Sequence, residues 1–282
     1  MAIEQHDTSI SFLFDHCAVR GVWVSLRRAY QEMLALHDYT PHAQCLLGES
    51  VAAAALLGRS LKWERRLALQ ARSEGALRLL VAECTEAGGV RGVIELKESL
   101  GTHSQRPLFS TLLEGGYLSL SLIPAEGNAH QGIVPLDGER LQDCIAGYFA
   151  QSEQLPTALW LACDGTQAAG LLLQALPDKE REEKEDWRRL QALAHTITDA
   201  ELLRLPCIPL LQRLFHEESV RVFDPEPLMF FCTCSKERSR NALTVLGADE
   251  LRSLFAEQPV VEIDCQFCRR KYRYEEKDIV EF

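Results

Sequence analysis

The chain has 282 residues, 46% of them hydrophobic, and a formal net charge of −11. This hydrophobic content is ample for a packed core and excludes a chain that is disordered throughout. The negative charge makes phosphate backbones and anionic lipids poor partners, because a surface of this sign repels both. No stretch reaches the ~20 apolar residues of a membrane span, and the N-terminus lacks the pattern of a signal peptide. We therefore expect a cytoplasmic protein that binds neither nucleic acid nor membrane.

Residues 1–177 predict a mixed α+β domain in which most strands pair antiparallel. Val22 and Val24 are expected to share one face of an early strand, over residues 20–26. The Ala- and Leu-rich stretch 42–62 predicts a long, largely buried helix. Two more helices are predicted, over 25–37 and 138–153. Further strands are predicted over 9–14, 66–72, 76–84, 90–96, 116–124, 130–136 and 157–164.

Composition changes abruptly at residue 178, and residues 178–228 are predicted to form a helical linker. Eleven of the twelve residues 178–189 are charged, six acidic and five basic, which indicates a solvated helix. Thr198 followed by Glu201 predicts a capping box for the next short helix. Pro209 is expected at the first position of the helix after that one. The linker is therefore predicted to contain two or three short helices in series.

The linker carries a stripe of large apolar side chains that needs another surface to cover it. Helices of this length are marginal alone and depend on docking. We expect the linker to be a metastable switch, stable only while its neighbours hold it, although an ordinary helical subdomain explains the same pattern. The stripe consists of Leu202, Leu203, Leu205, Leu210, Leu211, Leu214 and Phe215.

Residues 229–282 are predicted to form a small C-terminal module that contains two cysteine pairs. A helix over 236–257, broken near Gly247, is expected to be followed by a hairpin with strands over 260–264 and 271–276. Cys232 and Cys234 form C-x-C, and Cys265 and Cys268 form C-x-x-C thirty residues later. Two thiol pairs at this spacing are typical of a tetrahedral zinc site, and residues i and i+2 of an extended segment point to the same side. About fifty residues form only a small hydrophobic core, so such a module usually needs a cross-link such as a structural metal ion. The alternative is that the four cysteines are only buried structural thiols.

The remaining cysteines have no such pattern. They are scattered singly among apolar neighbours, and we interpret them as filler of the core or surface. They are Cys17, Cys45, Cys84, Cys144, Cys163 and Cys207. Ten cysteines without an export signal favour a reducing compartment, where paired thiols bind metal or take part in redox chemistry.

A site closed by four sulfurs predicts a structural role for zinc and redox sensitivity for the thiols. Peroxide or hypochlorous acid would oxidise a thiolate to a sulfenic acid, which a neighbouring thiol converts to a disulfide. The natural pairs are Cys232 with Cys234 and Cys265 with Cys268. Structural zinc contributes about 10–16 kcal/mol in small zinc peptides, whereas a whole domain is typically stable by about 5–15 kcal/mol. Loss of zinc is therefore expected to unfold the module and, if the linker relies on it, to expose an apolar surface that binds unfolded proteins.

Two other classes of protein fit parts of the pattern. A thiol–disulfide oxidoreductase would use the C-x-x-C, but that motif usually opens a helix after an early strand. A zinc-ribbon nucleic-acid binder would use the basic and aromatic run 269–274, but residues 229–282 hold nine basic and ten acidic residues. A hydrolase is weaker still, because His195, His216 and Cys207 belong to no catalytic motif. We expect a protein that is not an enzyme.

The motifs resemble those of the redox-regulated 33 kDa heat-shock chaperone family. The resemblance lies in Phe230 to Arg238 around the C-x-C, in Cys265, Phe267, Cys268 and Tyr272, and in several upstream segments. These segments are "LLGESVAAAALL", "GIVPL", "YFAQSEQLPT", "LLLQALP", "ELLRL" and "LLQRLFHEESVRVFDP", and with the cysteines they span nearly the whole chain.

The resemblance implies a cytosolic chaperone that holds unfolding client proteins without ATP. The reduced form would be an inactive monomer with one zinc ion bound by Cys232, Cys234, Cys265 and Cys268. Oxidation would form the disulfides Cys232–Cys234 and Cys265–Cys268, release zinc, unfold the linker and produce a dimer. Client proteins would then contact the N-terminal domain or the linker stripe, in particular Leu202, Leu203, Leu210, Leu211, Leu214 and Phe215. Consistent with this, neither a P-loop nor a dinucleotide fingerprint occurs, so no nucleotide is expected.

Overall fold

The computed structural model describes residues 7–60, 66–97, 109–124, 127–136, 138–177 and 184–279. Contacts divide the chain into two compact units, Met1–Phe230 and Phe231–Phe282. The described part of the predicted linker belongs to the first unit. That residues 178–228 behave as a separate switch segment stays a prediction. The end of the long predicted helix at 61–62 and the first six residues of the charged run, 178–183, lie outside the described residues.

The first unit contains two β-sheets. Its described strands are, in chain order, β1 (Thr8–Phe14), β2 (Val19–Leu26), β3 (Arg66–Arg72), β4 (Leu77–Thr85), β5 (Gly89–Leu96), β6 (Tyr117–Ile123), β7 (His130–Pro135), β8 (Thr157–Cys163), β9 (Ala168–Ala175), β10 (Val220–Val222), β11 (Glu226–Pro227) and β12 (Met229–Phe230). The first sheet has the order β10-β1-β2-β9-β8, with β11 also paired to β1. The second has the order β12-β5-β4-β3-β6-β7. Of the described pairs, β12 is parallel to β5 and the others are antiparallel, as expected.

One long helix packs against strands of both sheets. The helices of the first unit are α1 (Arg28–Leu34), α2 (Pro41–Ser60), α3 (Phe109–Leu112), α4 (Leu141–Tyr148), which continues into a π-helical turn (Phe149–Glu153), α5 (Lys184–Ala194), α6 (Asp199–Arg204) and α7 (Cys207–Leu214). The buried residues of α2 form one core with Val22 and Val24 of β2 and with Leu69 of β3. The predicted shared face of Val22 and Val24 is confirmed, and the small alanines of α2 let strands from both sheets pack closely against it.

The opposite face of the first sheet carries a second core. Trp23 lies between Val22 and Val24 in sequence, so it points to this other face, where Trp160 and Leu171 join it. Helices α5 to α7 cover these side chains with Leu190, Leu210 and further apolar residues. The linker stripe thus packs on a β-sheet of its own unit.

Among the differences from the prediction, three concern the first sheet and the linker. Strand β9 was not predicted, because all eight of its residues are buried and no polar alternation marks it. Helix α7 begins at Cys207 after Pro206 and ends at Leu214, so Pro209 is its third residue and not its first. A proline is tolerated there because the first-turn N–H groups have no partner within the helix. The end of the predicted linker also joins the first sheet as β10 and β11, strands that are too short to show an alternation of apolar and polar residues.

The second unit is a small α+β module built from α8 (Lys236–Thr244), α9 (Ala248–Glu257), β13 (Val260–Asp264), β14 (Lys271–Glu275) and α10 (Glu276–Ile279). The predicted break between the two longer helices is confirmed at Gly247, whose φ of 84° lies in the left-handed region that favours glycine. The predicted hairpin is also confirmed, with Val261 paired to Tyr274. Its core is small and consists of Leu243, Leu251, Phe255, Val261, Tyr274 and Ile279.

Candidate metal centre

The C-x-C pair lies on the segment between β12 and α8. Residues 231–235 form no strand, so the extended conformation expected for this segment stays a prediction. Arg238 supplies the support instead, donating from Nη1 to both the carbonyl oxygen and Oγ1 of Thr233, each at 2.9 Å. Ser235 then caps α8 by accepting the Arg238 N–H at 3.1 Å. The residue between the two cysteines is therefore held from the first turn of the following helix.

The C-x-x-C pair lies in the turn that joins β13 to β14. The Cys265 N–H donates to the Arg270 carbonyl at 2.9 Å, and the Arg269 N–H donates to the Cys265 carbonyl at 2.8 Å. Arg269 has a φ of 55°, a left-handed conformation that is uncommon for a residue with a side chain. This tight turn brings the Cys268 thiol back beside the Cys265 thiol, so that the hairpin presents both sulfurs.

The four predicted ligands come together in space. All four sulfurs lie within 4.8 Å of one another. The Cys232 and Cys265 sulfurs are 3.7 Å apart, and those of Cys234 and Cys268 are 3.4 Å apart. A zinc ion at about 2.3 Å from four tetrahedral sulfurs would separate them by about 3.8 Å. The cluster therefore fits a tetrahedral metal ion of this size, and its four cysteines are half-buried and joined by no disulfide.

Contacts within the cluster shift the pKa values of two of its thiols in opposite directions. Burial raises the pKa of Cys234, but hydrogen bonds from Tyr272 and from the other three thiols outweigh it and lower the pKa to about 7. Burial and hydrogen bonds with the same thiols raise the pKa of Cys268 to about 12. Cys234 therefore ionises to a thiolate near neutral pH, whereas Cys268 retains its proton. A cation at the centre would favour the thiolate form of all four.

Two residues that support the cluster had no assigned role in the sequence analysis. The Tyr272 hydroxyl donates to Cys234 Sγ at 3.0 Å, and Arg238 holds Thr233 as described above. Both belong to the motifs that carry the family resemblance. In the sequence, the fixed spacing of Tyr272 and Arg238 from the cysteines could have marked both residues as part of the site. Spacing alone does not say which atoms they contact.

The predicted linker stripe is covered in this structure. Leu203 and Leu205 are partly buried, and the other members are buried against the first sheet. They are Leu202, Leu210, Leu211, Leu214 and Phe215. The apolar side chains proposed to contact clients are therefore not available in this conformation.

Comparisons with known proteins agree with the fold and the cluster. The sequence matches the profile of the family described as Hsp33 protein over residues 7–275. A 33 kDa chaperonin of Ectopseudomonas mendocina is 46% identical, covering 98% of this chain and 95% of the relative. A 33 kDa chaperonin of Pseudomonas aeruginosa is 47% identical over 98% of this chain and 94% of its own length. The crystal structure of a 33 kDa chaperonin from Thermotoga maritima aligns with a TM-score of 0.81 at 25% identity, covering 98% of this chain and 97% of that one.

The fold and its relatives are those of a chaperone family, and the four tail cysteines are positioned to hold a metal ion. The chain belongs to the Hsp33 family, as the profile match and the relatives show. Within the described residues, none of the helices is both long and apolar enough to span a bilayer.

Proposed function

We propose that this protein is a redox-regulated, ATP-independent holdase that binds unfolding proteins and prevents their aggregation during oxidative stress. The proposal depends above all on one observation: with none of the four tail cysteines in a disulfide, the apolar linker stripe is buried on an apolar sheet face. A chaperone that hides its binding surface in the reduced form is silent until oxidised. The reduced form is then a zinc-loaded, inactive monomer in the cytoplasm, and the oxidised form is a dimer.

The covered surface is large enough to serve as a binding site. Release of α5 to α7 would expose the apolar side of these helices and also the sheet residues beneath them. The sheet contributes aromatic side chains, which carry much of the energy of apolar contacts. They are Phe12, Phe14, Trp23 and Trp160. Exposed apolar patches of this kind bind the apolar segments of unfolded proteins.

The four thiols supply the sensor. A bound zinc ion would cross-link the two cysteine segments and keep the sulfurs as thiolates. Among the described residues of the second unit, six apolar side chains form a small buried core, so the module depends on that cross-link. Each disulfide removes two protons and two electrons from a thiol pair, which peroxide or hypochlorous acid accepts. Sulfurs that are joined in this way no longer hold the metal.

The pairing Cys232–Cys234 and Cys265–Cys268 suits a switch better than the crossed pairing. Both pairings are within reach, because all four sulfurs lie within 4.8 Å of one another. Crossed disulfides, which join one pair to the other, would link the C-x-C segment covalently to the hairpin and so replace the metal as a cross-link. Local disulfides leave the two segments free to separate, which lets the module unfold.

The two other functional classes have less support. An oxidoreductase C-x-x-C opens a helix, whereas Cys265 and Cys268 lie in a hairpin turn. In the basic run, Lys271 and Arg273 both pair with Glu262, at 2.6 Å and 2.8 Å. This leaves less positive charge for a nucleic-acid backbone.

The proposal is tested by comparing the reduced and oxidised protein in one aggregation assay. The reduced protein should hold about one zinc per chain and leave a heated client to aggregate. Peroxide treatment at a temperature that loosens the tail should release the zinc and suppress client light scattering, with no ATP present. A Cys232→Ser/Cys265→Ser variant should bind zinc weakly and lose the dependence on oxidant. Equal protection by the reduced, zinc-loaded form would overturn the proposal.

A further inference from the structure

Two cysteines that are 118 residues apart in sequence lie side by side in the first unit. Cys45 lies in the second turn of α2, and Cys163 is the last residue of β8. The Cys45 thiol donates to the Cys163 carbonyl oxygen at 3.5 Å. The Cys45 side chain also acts on the Cys163 thiol and is the first cause of its raised pKa. The two cysteines, scattered singly in the sequence, are therefore neighbours in the fold.

Helix α2 is shaped to receive the second sulfur. Gly48 is three residues after Cys45 and so lies on the same face of the helix. A Cβ atom at Gly48 would lie 2.7 Å from Cys163 Sγ, closer than such atoms approach. The absence of a side chain at Gly48 therefore lets Cys163 Sγ reach the helix surface beside Cys45.

Hydrogen bonds hold the Cys163 sulfur in this position. Its thiol donates to the Tyr30 hydroxyl at 3.3 Å and accepts the Gly165 N–H at 3.5 Å. The Tyr30 hydroxyl in turn donates to the Gln44 carbonyl at 2.8 Å. Cys163 thus retains its proton, and its sulfur faces the neighbouring thiol. Both Cys45 and Cys163 are half-buried, so a small oxidant can reach the pair.

We propose that Cys45 and Cys163 are a second oxidation-sensitive dithiol, which forms a disulfide between α2 and β8. A hydroperoxide oxidises the Cys45 thiol to a sulfenic acid and is reduced to water or an alcohol. The Cys163 sulfur then attacks the Cys45 sulfur. The S–S bond forms as the hydroxyl group leaves with the Cys163 proton as water. The pair loses two electrons and two protons in total, and one peroxide accepts them.

The disulfide would fasten the edge strand of the first sheet to the helix beneath it. Strand β8 carries Trp160 and other residues of the face that the linker covers. If the proposed function holds, the oxidant that releases the linker from this face would also stabilise the first sheet, by joining β8 to α2. Formation of the bond itself requires no metal and no movement of the tail.

The experiment is peptide mapping of the full-length oxidised protein without reduction. Trypsin should release Cys45 in peptide 29–59 and Cys163 in peptide 141–179, which also contains Cys144. A Cys144→Ala background removes that ambiguity and leaves both reactive residues intact. After peroxide treatment and alkylation, the two peptides should appear as one linked species that dithiothreitol separates, and both free thiols should disappear together.

Variants then identify the pair and separate this proposal from the tail switch. Cys45→Ser should abolish the linked species and leave Cys163 alkylated, whereas Cys84→Ser, at a buried cysteine of the same unit, should leave the link unchanged. The link should also form in the Cys232→Ser/Cys265→Ser variant, whose tail switch is disabled. The proposal is wrong if Cys45 and Cys163 remain free after the tail disulfides form, or if either joins a different cysteine.

Discussion

At the scale of single residues, surroundings divide the ten cysteines into different chemical groups. Burial raises the pKa of Cys84 to about 11 and that of Cys207 to about 12, so both remain inert thiols. Against the opposing effect of burial, hydrogen bonds from Tyr272 and from the other tail thiols lower the pKa of Cys234 to about 7. Reactivity in this protein therefore follows from the neighbours of each sulfur.

Tyr272 is the residue that most directly tunes the tail cluster, and its loss gives the first prediction. The variant Tyr272→Phe removes the hydroxyl that donates to Cys234 Sγ at 3.0 Å. Partners of metal ligands typically contribute about 10–100-fold to metal affinity. We expect zinc affinity to fall by about tenfold or more in a chelator competition titration.

The matched control is Tyr274→Phe. Tyr274 is buried in the same module, but its hydroxyl donates to the Lys236 carbonyl at 2.7 Å and not to a sulfur. Loss of one such neutral bond costs about 1 kcal/mol, which is about fivefold in affinity if it is fully transmitted to the metal site. A Tyr272→Phe protein that binds zinc as tightly as the unchanged protein would contradict the assigned role.

At the scale of elements, polar contacts join the linker helices to one another, and buried apolar side chains pack them on the first sheet. Arg213 of α7 pairs with Glu201 of α6 at 2.7 Å and donates to Thr196 Oγ1 at 2.7 Å. The predicted capping box of α6 is confirmed, since Thr198 Oγ1 accepts the Glu201 N–H at 3.2 Å and the Glu201 carboxylate accepts the Thr198 N–H at 2.9 Å. These polar contacts orient three short helices, and the buried leucines hold them on the sheet.

Weakening this contact should activate the chaperone without an oxidant. In the variant Leu210→Ala/Leu214→Ala, two buried side chains of α7 are truncated, each at a cost of about 2–5 kcal/mol. We expect the linker to detach and the reduced, zinc-loaded protein to suppress client aggregation. Light scattering of a heated client measures the gain, and hydrogen exchange over residues 184–215 measures the detachment.

The control lies on the same helix. Ile208 is 47% exposed, so Ile208→Ala removes a comparable side chain from α7 without opening the core. It should leave the reduced protein inactive. If the double leucine variant stays inactive while its linker exchanges freely, the linker is not what silences the chaperone.

At the scale of the whole molecule, the chain contains two units with separate cores. The first contains two sheets, α2 and the linker helices, whereas the second has six buried apolar side chains and four clustered thiols. A module of this size has little stability of its own. Metal binding should therefore be coupled to the folding of the second unit alone.

Removal of the metal should accordingly unfold one unit and spare the other. A chelator under reducing conditions should abolish amide protection in residues 236–279 while β1 to β6 and α2 stay protected, as measured by hydrogen exchange. Calorimetry should show the tail transition move to lower temperature and the larger transition remain. Re-addition of zinc restores the tail if the coupling is correct. A metal-free tail that keeps its protection would contradict it.

Those elements of the fold that a local sequence pattern specifies could be predicted from the sequence. Strand β6 alternates at period two, α6 has a capping box, and Gly247 interrupts two helices, so each was predicted correctly. Strand β9 is buried on both faces and has no alternation, so it was missed. The start of α7 was misplaced because proline is tolerated at several first-turn positions.

The sequence by itself indicated which four cysteines come together, because each pair lies within three residues and thirty residues separate the two pairs. The tertiary structure alone decided which surface the linker stripe covers, since an amphipathic helix specifies that it must dock but not where. It also decided that Cys45 and Cys163 meet, because contacts between residues 118 apart depend on the packing of α2 against β8 and leave no periodic trace in the chain.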